Sequence, residues 1–150
     1  MKVNCVQIEL RTTYSFDYDG PEYIYQPSDA QPLFALKIGK CNIEYVGLIC
    51  LDHTHRIVNY SNVAIGGTDS VITSVSQIIK VALLSNASSI VIAHNHPSGV
   101  LEITSSDVSI TRRIAQAAHL VGISLMDSLV VNSGGEYMSI RSKMKDLNYE

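Results

Sequence analysis

The chain has 150 residues, of which 46% are hydrophobic and 17% are charged, and its net charge is −3. This length and composition predict one globular domain with a normal core and exclude a disordered chain. The acidic balance argues against nucleic-acid binding through a broad basic surface, although it leaves room for a local basic patch. The sequence shows no apolar run long enough to span a membrane and no signal-peptide pattern, so we expect a cytoplasmic protein without a membrane partner.

The first part of the chain, residues 1–40, is predicted to be an extension that packs on a domain formed by residues 41–150. Residues 1–10 are weakly strand-like. Residues 11–27 combine near-alternating aromatic side chains with Gly, Pro and Asp, which indicates a hairpin, an extended arm or an ordered loop.

A short helix is expected at the end of this extension. Ser28 and Gln31 have the spacing of a capping box, which places the start of the helix there and its end near Ile38. Pro32 then falls in the first turn, where a missing backbone N–H is tolerated.

A hairpin and a second helix follow in the chain. Residues 43–51 are apolar on both faces, as in a strand of a covered sheet, and residues 57–65 form the returning strand after a turn at 52–56. A glycine-rich break at 66–69 ends that strand. Residues 75–84 have helical periodicity.

The remaining chain predicts a strand at 89–93, a helix at 104–121, and strands at 123–131 and 137–140. The charged tail from Arg141 is expected to fray. Five apolar residues are predicted on the inner face of the helix: Ile110, Ile114, Ala117, Ala118 and Val121. This order of elements predicts an α/β (α+β) fold in which helices pack on a mixed sheet.

Two histidines stand at the end of the strand at 89–93. His94 and His96 are two residues apart, so on a strand their imidazoles project from one face and can bind one zinc ion. Asp107 is the candidate third ligand, because a tight turn and a helix start separate it from the histidines, and a helix start favours a carboxylate. The alternative is that Asp107 only caps the helix, together with Thr104.

The other histidines and the cysteines predict no metal site. His53 and His55 form a second His-x-His sequence, but it lies in the predicted turn and no carboxylate follows at the corresponding distance, so we interpret it as a solvated hairpin tip. His119 is interpreted as a surface or partly buried histidine. The cysteines lack metal-binding spacing and are expected to be reduced, partly buried thiols: Cys5, Cys41 and Cys50.

A hydrolytic zinc site also needs a carboxylate that takes up a proton and returns it. The sequence pattern leaves three candidates open, namely Glu44, Glu102 and Glu136. Glu44 opens an otherwise apolar strand. The simpler interpretation of Glu44 is a charge at a strand end that faces water.

The stretch from His94 to Gly99, followed by Asp107 and preceded by Glu44, resembles the metal motif of the JAB/MPN (JAMM) metalloproteins and, within them, the RadC-like group. The family pattern is a distant Glu, then His-x-His, seven residues, Ser, two residues and Asp. Thr104 stands at the serine position. The resemblance runs from about Glu44 to residue 139 and implies a mixed sheet layered with helices, similar to that of cytidine deaminases.

The resemblance implies a zinc cofactor held by His94, His96 and Asp107, with Glu44 as general acid/base and the Thr104 hydroxyl as a donor to the developing oxyanion. The implied reaction is hydrolysis of a peptide or isopeptide bond in a peptide or protein substrate. Two other interpretations stay open. One is a DNA-repair-associated protein without peptidase activity, and the other is a catalytically silent metal-binding interaction domain.

The chain also departs from the family pattern. The 150 residues contain no pattern of the helix-hairpin-helix region that longer relatives carry, and we therefore expect no DNA contact of that kind. Thr104 replaces a serine, Ile103 replaces a frequent proline, and Ser128 replaces a histidine that usually follows an aspartate, here Asp127. A Pro-Arg pair expected near the start of the second helix appears as Val-Ser at 75–76. These departures predict a shifted substrate preference or weakened catalysis.

Overall fold

The computed structural model describes residues 1–65 and 71–144, and only the backbone of residues 65 and 71–74. The glycine break predicted after residue 65 and the last residues of the tail lie outside the described residues. In the part of the chain that is described, no helix combines the length and apolar character needed to cross a bilayer.

Within these residues the chain forms four helices and five strands, and the predicted mixed sheet with packed helices is confirmed. Helix α2 begins four residues earlier than its periodicity predicted, and the short helix α4 was not predicted; the other elements agree with the predicted positions to within a few residues. In chain order the elements are α1 (Pro27–Ile38), β1 (Tyr45–Leu51), β2 (Ile57–Ile65), α2 (Val71–Leu84), β3 (Ser89–Asn95), α3 (Ser105–Leu120), β4 (Ser124–Val131), β5 (Tyr137–Ser139) and α4 (Ile140–Lys143).

The strands form one sheet in the order β2-β1-β3-β4-β5. β1 pairs antiparallel with β2 and β3, β3 pairs parallel with β4, and β4 pairs antiparallel with β5. The parallel pair needs a crossover, which α3 supplies. β3 is the central strand, and all of its residues are buried, which explains its uninterrupted apolar run.

Successive side chains along each strand point to opposite faces of the sheet, so the core has two layers. The face that bears Val91 packs on Phe34 of α1, and the face that bears Ile92 packs on α2 and α3. Because successive strand residues point to opposite faces, His94 lies on the same face as Ile92, and Asn95 lies on the α1 face. The residues at the end of β3 are therefore presented to two different layers.

Helix α1 begins earlier than its capping-box spacing predicted. Its N-cap is Gln26, not Ser28. The carboxylate of Asp29 accepts the backbone N–H of Gln26 at 3.1 Å and that of Tyr25 at 3.0 Å. An anionic side chain that binds two amides at the positive end of a helix is a better cap than one hydroxyl. Pro32 therefore lies inside the helix, where its ring removes one backbone hydrogen bond.

Three further predictions were wrong. Residues 1–10 form no strand and are exposed. Val121 is exposed because it lies beyond the last turn of α3, as its C-cap. The chain from Arg141 does not fray at once, since it continues α4 and then buries Met144 against Val130.

The arm that precedes α1 is an ordered loop with aromatic anchors, one of the alternatives that the sequence left open. The Nζ of Lys37 lies 2.6 Å from the hydroxyl of Tyr14 and 4.2 Å from the centre of the Phe16 ring. Tyr23 forms an isolated bridge with Arg56, next to the β1–β2 turn. These contacts attach the arm both to α1 and to the hairpin.

The cysteines are free thiols in different environments, which predicts a difference in reactivity. Cys41 is half-buried, as predicted for these thiols, whereas Cys5 is exposed and Cys50 is fully buried in the α2–α3 layer. Burial raises the pKa of the Cys50 thiol to about 11, although a hydrogen bond with Ser85 works in the other direction. Because the thiolate is the reactive form, we expect Cys5 to react with a thiol reagent in the folded protein and Cys50 only after unfolding.

A timed thiol assay at neutral pH, with and without denaturant, measures this difference. Cys5→Ser should remove the fastest phase and leave the denaturant-dependent phase of Cys50 unchanged, while the half-buried Cys41 reacts at an intermediate rate in both proteins. Rapid labelling of Cys50 under native conditions would contradict the burial of its side chain.

Candidate metal centre

His94 and His96 lie where the central strand leaves the core. His94 is 8% exposed, and its Nε2 atom lies 3.1 Å from Nε2 of His96. The N–H of Gly99 donates to the carbonyl of His96 at 2.9 Å, which closes the turn that follows. Gly99 has a φ of 78°, a conformation that glycine adopts at little cost. This turn redirects the chain from β3 towards α3.

Asp107 completes the group from the first turn of α3. Its Oδ1 lies 3.2 Å from Nε2 of His94. Its Oδ2 accepts the N–H of Thr104 at 2.9 Å, and Oγ1 of Thr104 accepts the N–H of Asp107 at 3.1 Å, so the pair forms a reciprocal capping box. The two interpretations of Asp107, as a cap and as a candidate ligand, are therefore compatible, because each involves a different carboxylate oxygen.

The three side chains together offer the donor set of a zinc site. One nitrogen or oxygen atom from each lies within 4.8 Å of the others, and no second such group occurs among the described residues. Two ligands at roughly 2.0–2.1 Å from a tetrahedral zinc are about 3.3 Å apart. The measured separations of 3.1 Å between the imidazoles and 3.2 Å between His94 and Asp107 fit that spacing.

The orientation of His96 also fits a metal ligand. Its Nδ1 lies 3.1 Å from the carbonyl oxygen of Val100. A carbonyl only accepts hydrogen bonds, so this bond needs the proton on Nδ1 and leaves the Nε2 atom, which faces Nε2 of His94, with a lone pair. Histidine ligands of metals commonly have such a partner on their second nitrogen.

The Asp107 carboxyl is held in its ionised form. Burial is the largest single influence and raises its pKa, but His94 and the hydrogen bonds with Thr104 together outweigh it and lower the pKa to about 2. Asp107 is therefore a carboxylate at neutral pH. It can accept a cation without first releasing a proton.

Glu44 lies beside this group in the strand register. It immediately precedes β1 and is half-buried. In the antiparallel pairing of β1 with β3, Val46 is opposite His94. The pairing ends there; Glu44 lies two residues before Val46 and His96 two residues after His94, so both lie just beyond the same end of the β1–β3 ladder.

The other two candidate glutamates lie in exposed loops. Glu102 is exposed between the histidine turn and α3. Glu136 is exposed between β4 and β5, and its carboxylate accepts a hydrogen bond from Asn132 at 3.3 Å. Of the three candidates, Glu44 is the one that the sheet register brings to the histidine-bearing strand end.

Three residues that depart from the family pattern, at positions 103, 104 and 128, lie beside α3. Thr104 is exposed, and although its hydroxyl oxygen accepts from Asp107, its hydroxyl hydrogen stays available for donation. Ile103 packs against a small cluster formed around α4. Ser128 is buried and accepts a hydrogen bond from the hydroxyl of Thr111 at 3.0 Å.

Of the remaining histidines, His53 and His119 are exposed as interpreted from the sequence, but His55 is half-buried and not solvated. The second His-x-His sequence forms a hairpin tip, in which Oδ1 of Asp52 accepts the backbone N–H of Thr54 at 2.8 Å and that of Arg56 at 3.1 Å. The ring of His55 contacts the sulfur of Met126. His119 is exposed on α3.

Two buried asparagines beside the site were not identified from the sequence. Asn132 donates to the carbonyl of Gly99 at 3.3 Å and accepts the N–H of Gly134 at 3.0 Å, so it attaches the histidine turn to the β4–β5 turn. Asn95 is fully buried and binds the first residue of β1 and the segment before it. In the sequence, each asparagine is only a polar residue in or beside an apolar strand. That pattern does not show which groups its side chain binds.

A cavity of about 450 Å³ lies on the α1 face of the sheet and shares no lining residue with the metal centre. The carboxyl of Asp127 lies in its wall, where burial raises its pKa. Asp127 accepts the hydroxyl of Ser139 at 2.7 Å and the backbone N–H of Arg141 at 3.3 Å. Through these bonds it anchors the start of α4 to β4.

The mixed sheet between helical layers, with histidines at the end of β3 facing the start of α3, is the architecture of a JAB-type domain. The chain belongs to the RadC-like JAB domain family, whose model matches residues 24–145. The predicted family membership is thus confirmed. The division of the chain at residue 40 stays a prediction.

The curated relatives are bacterial proteins named UPF0758. One from Acidithiobacillus ferrooxidans is 37% identical over 100 residues, which cover 67% of this chain and 44% of that protein. One from Marinobacter nauticus is 33% identical over 108 residues, covering 72% and 48%, and one from Chloroflexus aggregans is 29% identical over 120 residues, covering 80% and 52%. The chain spans about half the length of these relatives, and their names state no activity.

Proposed function

We propose that this protein is a zinc-dependent hydrolase that cleaves a peptide or isopeptide bond in a peptide or protein substrate. The observation that carries the proposal is the convergence of donor atoms from His94, His96 and Asp107, which all lie within 4.8 Å of one another, with His94 at 3.1 Å and 3.2 Å from the other two. Membership of the RadC-like JAB family supports this class of site.

In this proposal the three side chains hold the ion and leave a fourth position open. Bound zinc would supply a Lewis acid for the scissile carbonyl and lower the pKa of a coordinated water to about 7. The N–H of Thr104 donates a hydrogen bond to Asp107, and the carbonyl of Val100 accepts one from His96. These hydrogen bonds orient two of the three ligands before any ion binds.

Glu44 is the proposed general acid/base. Its carboxylate would accept a proton from the attacking water and return it to the departing amine nitrogen. Its half-buried position just beyond the Val46–His94 pair, at the end of the sheet from which His96 emerges, supports this role. The Thr104 hydroxyl would donate to the carbonyl oxygen as negative charge develops there, since its oxygen is already positioned by the N–H of Asp107.

The two alternatives make different demands on the chain. A catalytically silent metal-binding domain would use the same three ligands but would need neither Glu44 nor a hydroxyl at 104. A DNA-repair-associated protein would need a surface for phosphates, which a net charge of −3 does not favour. The presence of Glu44 and Thr104 beside a complete donor set therefore favours the hydrolase.

The test is the metal content of the purified protein and its activity on a panel of peptides and isopeptide-linked substrates, before and after chelation. We expect about one zinc per chain and hydrolysis that a chelator abolishes and Zn²⁺ restores. Absence of zinc would contradict the metal centre. Zinc without hydrolysis of any substrate would favour the silent domain, and salt-dependent binding of DNA would favour the repair-associated protein.

A further inference from the structure

Asn95 lies between the two histidines in sequence but points to the opposite face of β3. It is fully buried, and its side chain makes three hydrogen bonds to the backbone of residues 41–45. The carboxamide oxygen accepts the N–H of Tyr45 at 2.7 Å. The carboxamide nitrogen donates to the carbonyl of Cys41 at 3.2 Å and to that of Ile43 at 3.0 Å.

These bonds lie where the sheet ladder ends. β1 and β3 pair as far as Val46 and His94. Beyond that pair, both side-chain donors of Asn95 bind carbonyls of the segment before β1, and its carboxamide oxygen accepts the N–H of Tyr45, the first residue of β1. Asn95 therefore extends the attachment of this segment to β3 past the last backbone pair.

Glu44 lies inside the attached segment. The carbonyl of the preceding residue, Ile43, and the N–H of the following residue, Tyr45, both bind Asn95. Fixing the peptide groups on both sides of a residue restricts its φ and ψ, and with them the direction of its side chain. The same asparagine is joined by peptide bonds to both candidate histidine ligands.

We propose that Asn95 is a positioning residue that holds the Glu44 carboxylate in register with the ion bound by His94 and His96. The inference rests on the proposed function, because it concerns the proton transfer assigned to Glu44. A displacement of about 1 Å in a reacting group can lower a rate by roughly 10²-fold. We therefore expect loss of the Asn95 side chain to lower kcat and to leave KM unchanged.

A double-mutant cycle tests this coupling without depending on a substrate. Asn95→Ala, Glu44→Gln and the double variant are loaded with Co²⁺, and the pH at which the visible spectrum titrates is measured. A carboxylate near the ion disfavours the loss of a proton from a water bound to Co²⁺. Glu44→Gln should therefore lower the pH at which the spectrum titrates. Asn95→Ala should also lower the pH at which the spectrum titrates, because the Glu44 carboxylate is no longer held near the ion. In the double variant, Asn95→Ala should cause no further change, because Glu44 has already been replaced.

The hydrolysis rate should follow the same pattern. Asn95→Ala is expected to lower kcat by about 10²-fold in the wild-type background and to have little effect in the Glu44→Gln background. If Asn95→Ala does not fold, Asn95→Ser replaces it in the cycle, because a hydroxyl keeps one donor and one acceptor.

Asn132→Ala is the matched control. Asn132 is also a buried asparagine whose amide fastens a turn beside the site, but its partners lie on the other side of the histidines. The effects of Asn132→Ala on the Co²⁺ titration and on kcat should therefore add to those of Glu44→Gln. In the metal-free protein, Asn95→Ala should speed amide hydrogen exchange at Tyr45, and Asn132→Ala should not.

Additive effects of Asn95→Ala and Glu44→Gln, or equal coupling of Asn132→Ala to Glu44, would overturn the positioning role and leave the proposed hydrolase intact. If Glu44→Gln changes neither the Co²⁺ spectrum nor the rate, the acid/base role of Glu44 is wrong, and the role of Asn95 falls with it. The two failures are thus distinguishable.

Discussion

Replacing Asp107 with alanine is expected to abolish stoichiometric zinc binding. The variant removes the carboxylate whose Oδ1 lies 3.2 Å from Nε2 of His94. Loss of an outer-shell partner already weakens metal binding by roughly 10- to 100-fold, so loss of a ligand should exceed that range. A competition titration of the metal-free protein against a chromophoric zinc chelator measures the affinity.

Asp29→Ala is the control for the capping role of Asp107. Both residues accept the N–H of an N-cap residue, Asp29 at 3.1 Å and Asp107 at 2.9 Å, so each substitution removes a similar cap. Each should cost about 1 kcal/mol of unfolding free energy in a urea titration, because each removes a hydrogen bond to a carboxylate at a helix N-terminus. Only Asp107→Ala should also lose zinc. Equal zinc affinities in the two variants would show that Asp107 is a cap and not a ligand.

Replacing Glu44 with glutamine is expected to leave zinc bound and to remove most of the hydrolytic activity. Glutamine has nearly the same shape but cannot accept and return a proton, and general acid–base catalysis contributes about 10²- to 10⁴-fold to a rate. The zinc content should match that of the wild type. The measurement is kcat on a substrate that the wild type hydrolyses.

Glu102→Gln and Glu136→Gln are the controls for this prediction. Both side chains are exposed, and Glu136 is engaged by Asn132 in the β4–β5 turn. We expect both variants to retain the wild-type rate. A large loss with one of them, and none with Glu44→Gln, would assign the proton transfer to another carboxylate.

The order of strands and helices could be predicted because most elements carry a strong local pattern. The apolar run of β3 and the period of α3 report directly which face or faces each element buries. The helix boundaries were less predictable. Near α1, Ser28 and Asp29 offer overlapping caps, and the one that forms depends on where the preceding chain lies.

The tail and the N-terminal arm could not be predicted from local pattern. The segment after Arg141 is polar in sequence, but α4 forms there because Asp127 anchors its start and Met144 fills a small core. Residues 1–10 have a weak strand pattern but no strand pairs with them among the described residues. In both cases, the residues that the segment packs against or pairs with, and not its own sequence, decide whether it forms a helix or a strand.

The sequence by itself determined the candidate ligands His94, His96 and Asp107, because the alternation of a strand and the cap of a helix are local properties. Only the tertiary structure decided that these three meet, since their distances depend on how α3 packs against the sheet. It also decided the surroundings of Glu44. The β1–β3 register and the hydrogen bonds of Asn95 join residues that are far apart in the chain, and no local pattern records such a pairing.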